Sequence, residues 1–358
     1  MSLHFEKVTV KQVKKETADC VSIVFDIPET LQEKFRYKQG QHLTMRAFIN
    51  DEEVRRSYSL CSSPLHNEWR VAVKKVDGGL FSTYANSALK TGDTLELMEP
   101  MGHFFTELDA TSKKSYVAIA SGSGITPILS IIKTVLITEP ESEFTLVYGN
   151  RNRSSVIFKE ELEALKNKYI NRFRIVYVLS RERTDAEINH GRIDAKKCAV
   201  LFNKIVSINS DEFFICGPEE MIFTVKDFLE QNGVEKKKIH FELFSSGGIV
   251  QRKAKSEQEH ESTERKSSIT VKLDGVTFDF QVPFNGNAIL DEALKNGADL
   301  PYSCKGGVCC TCKARLLEGE VDMDVSYGLE AEEIDEGFIL ACQAHPKTEK
   351  VVIDFDIK

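Results

Sequence analysis

The chain has no apolar run long enough to span a bilayer, and Met1–Val10 has none behind a basic start, as a secretory leader would need. It has no internal repeat, and its eight histidines fall in no metal-ligand spacing. It also has no basic surplus, since the net charge is −8. These absences set three expectations: no membrane, no nucleic acid, and a cytoplasmic address. Disulfides are rare in that compartment, so the nine cysteines read as metal ligands, catalytic groups or packing residues.

At 358 residues, 41% hydrophobic and 28% charged, the chain is globular and too long for one ordinary core. Residues 1–110 show short strands with turn signals, such as Cys20–Phe25 and Arg70–Val76, and predict an antiparallel β-barrel. Over 111–245 the rhythm changes. Strands at 116–120, 144–148, 173–179 and 212–216 alternate with helical stretches at 127–137, 156–168, 194–206 and 218–231. That alternation predicts an α/β domain around a parallel sheet. Residues 246–267 are polar and of mixed charge, hence a linker. Residues 268–358 open on a hairpin around Asp274–Gly275 and continue into a helix over 288–296 and a closing strand at 351–355. This last module holds 17 acidic and 8 basic residues, so it carries the acidity of the whole chain. It suits a partner with a basic surface, or it is merely a soluble acidic domain.

The densest chemistry lies at Cys304, Cys309, Cys310 and Cys312, four cysteines in nine residues. The x4 and x2 spacings, followed by a distant Cys342, are those of plant-type [2Fe–2S] ligation. Gly306 and Gly307 let the loop curl and turn N–H groups toward sulfur. Cys310 is the extra cysteine and is expected to pack. A zinc site using Cys310 is the rival, though adjacent residues rarely reach one tetrahedral ion together. Cys20, Cys61 and Cys198 are expected to be packing residues.

Three further stretches can hold nucleotides. In Arg56-Ser57-Tyr58-Ser59 an arginine can fork onto a pyrophosphate, a tyrosine offers a plate for a flavin ring, and a serine can bond a ring nitrogen. An ordinary strand reads the same way. Gly79 and Ser82 belong to a turn entering a helix and can cradle phosphate. Gly122, Gly124 and Thr126 follow a strand and open a helix, with Thr126 expected as N-cap and Pro127 as the first helical residue. This stretch is either a dinucleotide turn or only a tight strand-to-helix turn; the full G-x-G-x-x-G fingerprint is lacking.

Together these motifs resemble the ferredoxin–NADP reductase superfamily, and residues 268–358 resemble a plant-type ferredoxin. The resemblance implies three folds: an FAD-binding β-barrel, an NAD(P)-binding α/β domain and an α+β, β-grasp-like [2Fe–2S] domain. It also implies that Ser59, Cys216 of Cys216-Gly217-Pro218, and Glu242 of Phe241–Phe244 surround the flavin and nicotinamide rings as the catalytic set. Gly217 and Pro218 would help bind the cofactor, and Phe244 stands where an aromatic often covers the flavin. Ser180 and Arg181 resemble the residues that bind the 2′-phosphate of NADPH, although Arg181 can equally pair with a surface carboxylate. Cys304, Cys309, Cys312 and Cys342 would hold the cluster. The domain order resembles the reductase components of multicomponent oxygenases. Tyr148–Arg151, Leu179–Glu182 and Gly191–Asp194 resemble the branch serving phenylacetyl-CoA epoxidation in phenylacetate degradation. Electrons would pass from NADPH to FAD to [2Fe–2S] to an oxygenase or other acceptor protein, with the linker letting the acidic module swing. A reductase for another diiron or Rieske oxygenase or a desaturase, a self-sufficient oxidase and a redox sensor are the alternatives.

Overall fold

The computed structural model describes residues 4–244, 265–284 and 286–357. The first sheet runs in the order β4-β3-β6-β1-β2-β5. Its strands are β1 (Glu6–Thr17), β2 (Cys20–Asp26), β3 (His42–Ile49), β4 (Glu52–Ser59), β5 (Trp69–Lys74) and β6 (Thr94–Leu97). All the pairings are antiparallel. A Leu60–Val71 bridge and a Cys61 N–H donated to the Arg70 carbonyl join the two edge strands, which closes the sheet as a barrel. Val8, Ile23, Leu43, Met45, Val71 and Leu97 fill the interior from alternate positions. The short helix α1 (Glu29–Gln32) and the helix α2 (Leu80–Ser87) belong to the same region.

The second sheet is fully parallel, in the order β11-β10-β7-β8-β9. Its strands are β7 (Ser115–Ser121), β8 (Glu143–Asn150), β9 (Phe173–Leu179), β10 (Glu212–Gly217) and β11 (Ile239–Leu243). The alternating helices are α3 (Ile125–Thr138), α4 (Lys159–Lys168), α5 (Ala195–Lys204) and α6 (Glu219–Gln231). Strand order reverses between β7 and β10, which places a crevice at their carboxyl ends. The sequence reading assigned no strand at β11. It also placed the start of α3 two residues late. Thr126 lies inside the first turn and donates to the Ser123 carbonyl at 3.0 Å, while Gly124 takes the N-cap position. A 3₁₀ turn over Gly122–Gly124 runs into the helix without a break, so no side-chain cap is needed.

The third sheet, β13-β12-β18-β14-β16, is mixed. The hairpin β12 (Lys266–Leu273) and β13 (Val276–Pro283) is antiparallel, and β12 runs parallel to β18 (Lys350–Asp354). β14 (Lys313–Glu318) and β16 (Phe338–Leu340) extend it, and β15 (Val321–Met323) pairs with β17 (Ala344–Pro346). Helix α7 (Ile289–Lys295) buries Ile289, Leu290 and Ala293 in the module's core, and α8 (Ala331–Asp335) contacts β16. The linker expected at 246–267 lies outside the described residues except at its end, where Lys266 and Ser267 already belong to β12.

Candidate redox site

Ser59 ends β4, Cys216 lies near the end of β10, and Glu242 is on β11, directly beside Cys216 in the parallel register. The fold brings the three together at the crevice. The Ser59 hydroxyl donates to the Glu242 carboxylate at 3.1 Å. Burial pushes the Glu242 carboxyl up to about 8, although the Ser59 hydrogen bond works against it. Glu242 keeps part of its surface open, so protein packed around the carboxyl rather than full occlusion does this. The Cys216 thiol is fully buried, and burial plus the neighbouring Glu242 raise it far above its ordinary value. It is a neutral thiol and not a nucleophile.

The glycine turn is fitted to this spot. A Cβ on Gly124 would stand 2.2 Å from the Cys216 carbonyl oxygen, and one on Gly217 would meet Ser121 at 3.0 Å. Gly122 takes a φ of 55°. The Tyr148 hydroxyl donates to the Gly122 carbonyl at 2.9 Å and braces the turn. Pro218 is the N-cap of α6. Ser180 and Arg181 follow β9 and reach across to β8: Ser180 N–H donates to the Asn150 carbonyl and Arg181 N–H to that of Arg151. The Arg181 side chain is exposed.

On β4 the faces alternate. Arg56 is exposed, and the Tyr58 ring packs on Phe81 at 5.4 Å between centroids. Ser57 turns the other way, bonding Thr44 at 3.1 Å and Ser303 at 2.9 Å. Gly79 is the N-cap of α2, and the Ser82 hydroxyl is spent inside that turn, accepting from Val76 N–H and donating to the Gly79 carbonyl. Ser82 therefore shapes the turn, and only its backbone is left for phosphate. Phe244 follows β11 and is 37% exposed.

The cysteines gather two and two. The Cys309 thiol donates to Cys304 at 3.1 Å, which together with the Gly306 N–H at 3.3 Å draws Cys304 down to about 6 against the effect of burial. Cys312 is raised by its hydrogen bond with Cys342 and by burial. No group of three or more His, Cys, Asp or Glu side chains among the described residues is placed to hold one metal ion. Paired thiols suit a binuclear cluster, whose tetrahedral irons each take two protein sulfurs, and do not suit a single zinc. Gly307 has a φ of 71°, and a Cβ there would stand 2.6 Å from the Val325 carbonyl, so the loop closes only with glycine. Cys310 is buried and pushed up to about 12, chiefly by burial. Burial also pushes Cys61 up to about 12 and Cys198 to about 11, and raises Cys20.

Missed in the sequence were the residues that join these parts, namely Arg55, Asp299, Ser303, Thr44 and Thr311. Their partners lie more than 240 positions apart, and no local pattern marks them.

A flavin-type barrel, a parallel sheet with a glycine turn at its switch point and a paired-cysteine loop define an electron-transfer oxidoreductase of three modules. The comparisons agree. Residues 7–106 match the oxidoreductase FAD-binding domain, 118–227 the oxidoreductase NAD-binding domain and 271–347 the 2Fe-2S iron-sulfur cluster binding domain. The chain is 45% identical over 355 residues to a subunit of the 1,2-phenylacetyl-CoA epoxidase of Escherichia coli K12, covering 99% of this chain and 98% of that one. It is 36% identical to the ferredoxin reductase component of 3-ketosteroid-9-alpha-monooxygenase of Rhodococcus rhodochrous, over 97% and 96% of the two chains. The solved phthalate dioxygenase reductase shares the fold at a TM-score of 0.58 and 24% identity, covering 98% of each chain. This chain belongs to the ferredoxin-reductase-type oxidoreductases that carry FAD-binding, NAD-binding and [2Fe–2S] domains in one polypeptide. No described helix is long and apolar enough to cross a membrane.

Proposed function

We propose that the protein is the cytoplasmic NADPH-dependent reductase of an oxygenase, with phenylacetyl-CoA epoxidase as its acceptor, and that residues 1–110, 111–245 and 268–358 are its three domains. The likeness to the Escherichia coli epoxidase component over nearly the full length supports the acceptor. One observation carries the chemistry: Ser59, Cys216 and Glu242 converge from three strands beside the glycine turn, and the paired-cysteine loop docks on the same strand as Ser59. A bound flavin accepts a hydride from the nicotinamide and releases electrons singly, which a [2Fe–2S] cluster requires.

The chain's own residues do the rest. Arg56, exposed on the strand, would meet the flavin's phosphates, and Tyr58, held by Phe81, would plate its ring. Ser59 and Cys216 orient the two rings; the neutral thiol offers shape and a weak donor without covalent chemistry. Glu242 holds a proton on its carboxyl near neutral pH and fixes the Ser59 hydroxyl. Gly122, Gly124 and Thr126, with Gly217 and Pro218, form the turn that admits the nucleotide backbone. Gly79 and Ser82 build the α2 turn that would face phosphate, and Phe244 would cover the flavin. Ser180 and Arg181, beside Arg151, bind the 2′-phosphate that separates NADPH from NADH. Cys304 with Cys309, and Cys312 with Cys342, would ligate one iron each.

An anaerobic titration with NADPH and then NADH, followed by absorbance and electron paramagnetic resonance, tests this. Flavin bleaching and a rhombic reduced-cluster signal should appear at lower NADPH than NADH. Cys342→Ser should abolish cytochrome c reduction and leave ferricyanide reduction in place. Bleaching without any cluster signal in the unmodified protein would overturn the proposal.

A further inference from the structure

One face of β4 touches all three modules. Ser59 reaches Glu242 of the parallel sheet. Two residues earlier, Ser57 bonds Ser303, which adjoins Cys304. Two residues earlier again, Arg55 donates to Asp299 at 3.0 Å and to the Leu300 carbonyl at 3.1 Å. Its guanidinium is 5% exposed and lies over the Tyr302 ring at 4.3 Å, with Glu53 as a second carboxylate at 2.7 Å. Thr44 stands directly opposite Ser57 on β3 and bonds Thr311, which adjoins Cys312, at 3.2 Å. Ser303, Ser57, Thr44 and Thr311 thus form a continuous chain of hydroxyls.

Building on the function proposed above, we infer that Arg55, Ser303 and Thr311 are the positioning residues that seat the cysteine loop on the flavin strand, and that the flavin-to-cluster step depends on this clasp. Each contact lands on a residue next to a cluster cysteine or within five positions before Cys304. The module also has a core of its own, built from Ile269, Val271, Ile289, Leu290, Leu340 and Val351. The clasp is also built to open. Hydroxyl pairs exchange readily for water, Asp299 is 81% exposed, and Arg55 keeps Glu53 on its own strand when Asp299 leaves. A hydride brings two electrons and the cluster would hold one at a time, so it would pass the first to the acceptor protein before taking the second, and the loop must return to the same place twice per hydride.

The test uses full-length protein with flavin and iron loaded, as Arg55→Gln, Asp299→Asn, Ser303→Ala and Ser303→Thr. Stopped-flow after NADPH addition separates flavin bleaching from growth of the reduced-cluster signal. Hydrogen exchange over residues 44–57 and 299–312 reports the contact without turnover. Flavin bleaching should keep its wild-type rate in all four. Cluster reduction should slow about tenfold in Arg55→Gln, the shift expected for one lost charge-assisted bond, and less in Ser303→Ala. Ser303→Thr should restore it, and exchange should rise in both segments whenever the rate falls. Asp299→Asn opens the same clasp from its exposed side and decides the case if Arg55→Gln folds poorly. Wild-type cluster reduction in Asp299→Asn and Ser303→Ala, with iron content intact, would overturn the inference while leaving the function standing. No bleaching or no cluster signal in the unmodified protein would instead remove the function on which it rests.

Discussion

Against the parallel-sheet domain the barrel presents a seam of buried apolar groups and ions; against the cluster module it presents hydroxyls, Arg55 and two histidines, His4 facing Asp274 and His103 facing Glu333. In the first seam, Cys20, Cys61, Ala72 and Phe104 join the same buried cluster as Ile128, Ile132 and Phe214 across the boundary. Phe104 meets Phe214 edge-on at 5.5 Å. Arg70 of the barrel and Lys133 of α3 share Glu161 of α4, with side-chain exposures of 12%, 8% and 30%. In the second seam the module keeps its own core; Val308 and Tyr327 touch the parallel-sheet domain, and Tyr302 lies under Arg55 of the barrel beside the hydroxyl contacts. Apolar surface separates only at a large cost, whereas hydrogen bonds trade with water almost evenly. The difference teaches which joint is permanent and which can cycle.

The largest effect should come from breaking the first seam. Glu161→Ala removes the carboxylate that Arg70 and Lys133 share, leaving Arg70 only the more distant Glu68 at 3.7 Å and Lys133 the Cys61 carbonyl, so stability should fall by about 3 kcal/mol in thermal unfolding. Burial raises the Glu161 carboxyl, but Lys133 and Arg70 more than offset this and hold it below its ordinary 4.5. The stabilisation is therefore present above that value and lost as pH falls through the folded one, and the wild-type advantage over Glu161→Ala should shrink in acid. An unchanged difference at low pH would mean that the ion network is not what the seam relies on.

Glu242 should behave in the opposite sense. Unfolded it ionises near 4.5, and folded it keeps its proton up to about 8. The unfolded state loses its proton first, so stability should fall as pH rises between those values and level off above. Glu242→Gln removes that slope and should gain on wild type from pH 5 to pH 8, by on the order of a few kcal/mol. Parallel curves would refute the raised carboxyl.

The smallest effect should come from the second seam. Asp299→Asn should change global stability by less than ~1 kcal/mol, because the aspartate is exposed. A loss as large as that of Glu161→Ala would erase the distinction between the two joints.

How much of this was legible depended on chain distance. Cys304, Cys309 and Cys312 fall within nine residues, and geometry over so short a span follows from spacing. The β-α alternation was equally readable, because both periods repeat over many residues. Helix α3 began early because a 3₁₀ turn needs no cap and leaves no signal in the sequence. The short strands β15, β16 and β17 have three residues each, too few to show a period. Glu242 was reached only through resemblance, since the burial that raises its carboxyl comes from protein packed around it in three dimensions and leaves no local pattern. Arg55 was passed over for its neighbour Arg56, although the buried guanidinium is the one that ties modules together.

The two glycines of the nucleotide turn should drift differently under mutation. At Gly124 even a methyl group would collide with the Cys216 backbone, so no other residue fits whatever its conformation. At Gly122 the protein atom near a new Cβ is the Lys74 ammonium, 3.8 Å away, so folding itself demands only the angle. Asparagine and aspartate enter that backbone region with little strain. A saturation library sorted for folded protein, before any selection for nucleotide binding, should therefore return glycine alone at 124 and a small polar alphabet at 122. For the fold, one position is constrained by volume and the other by torsion.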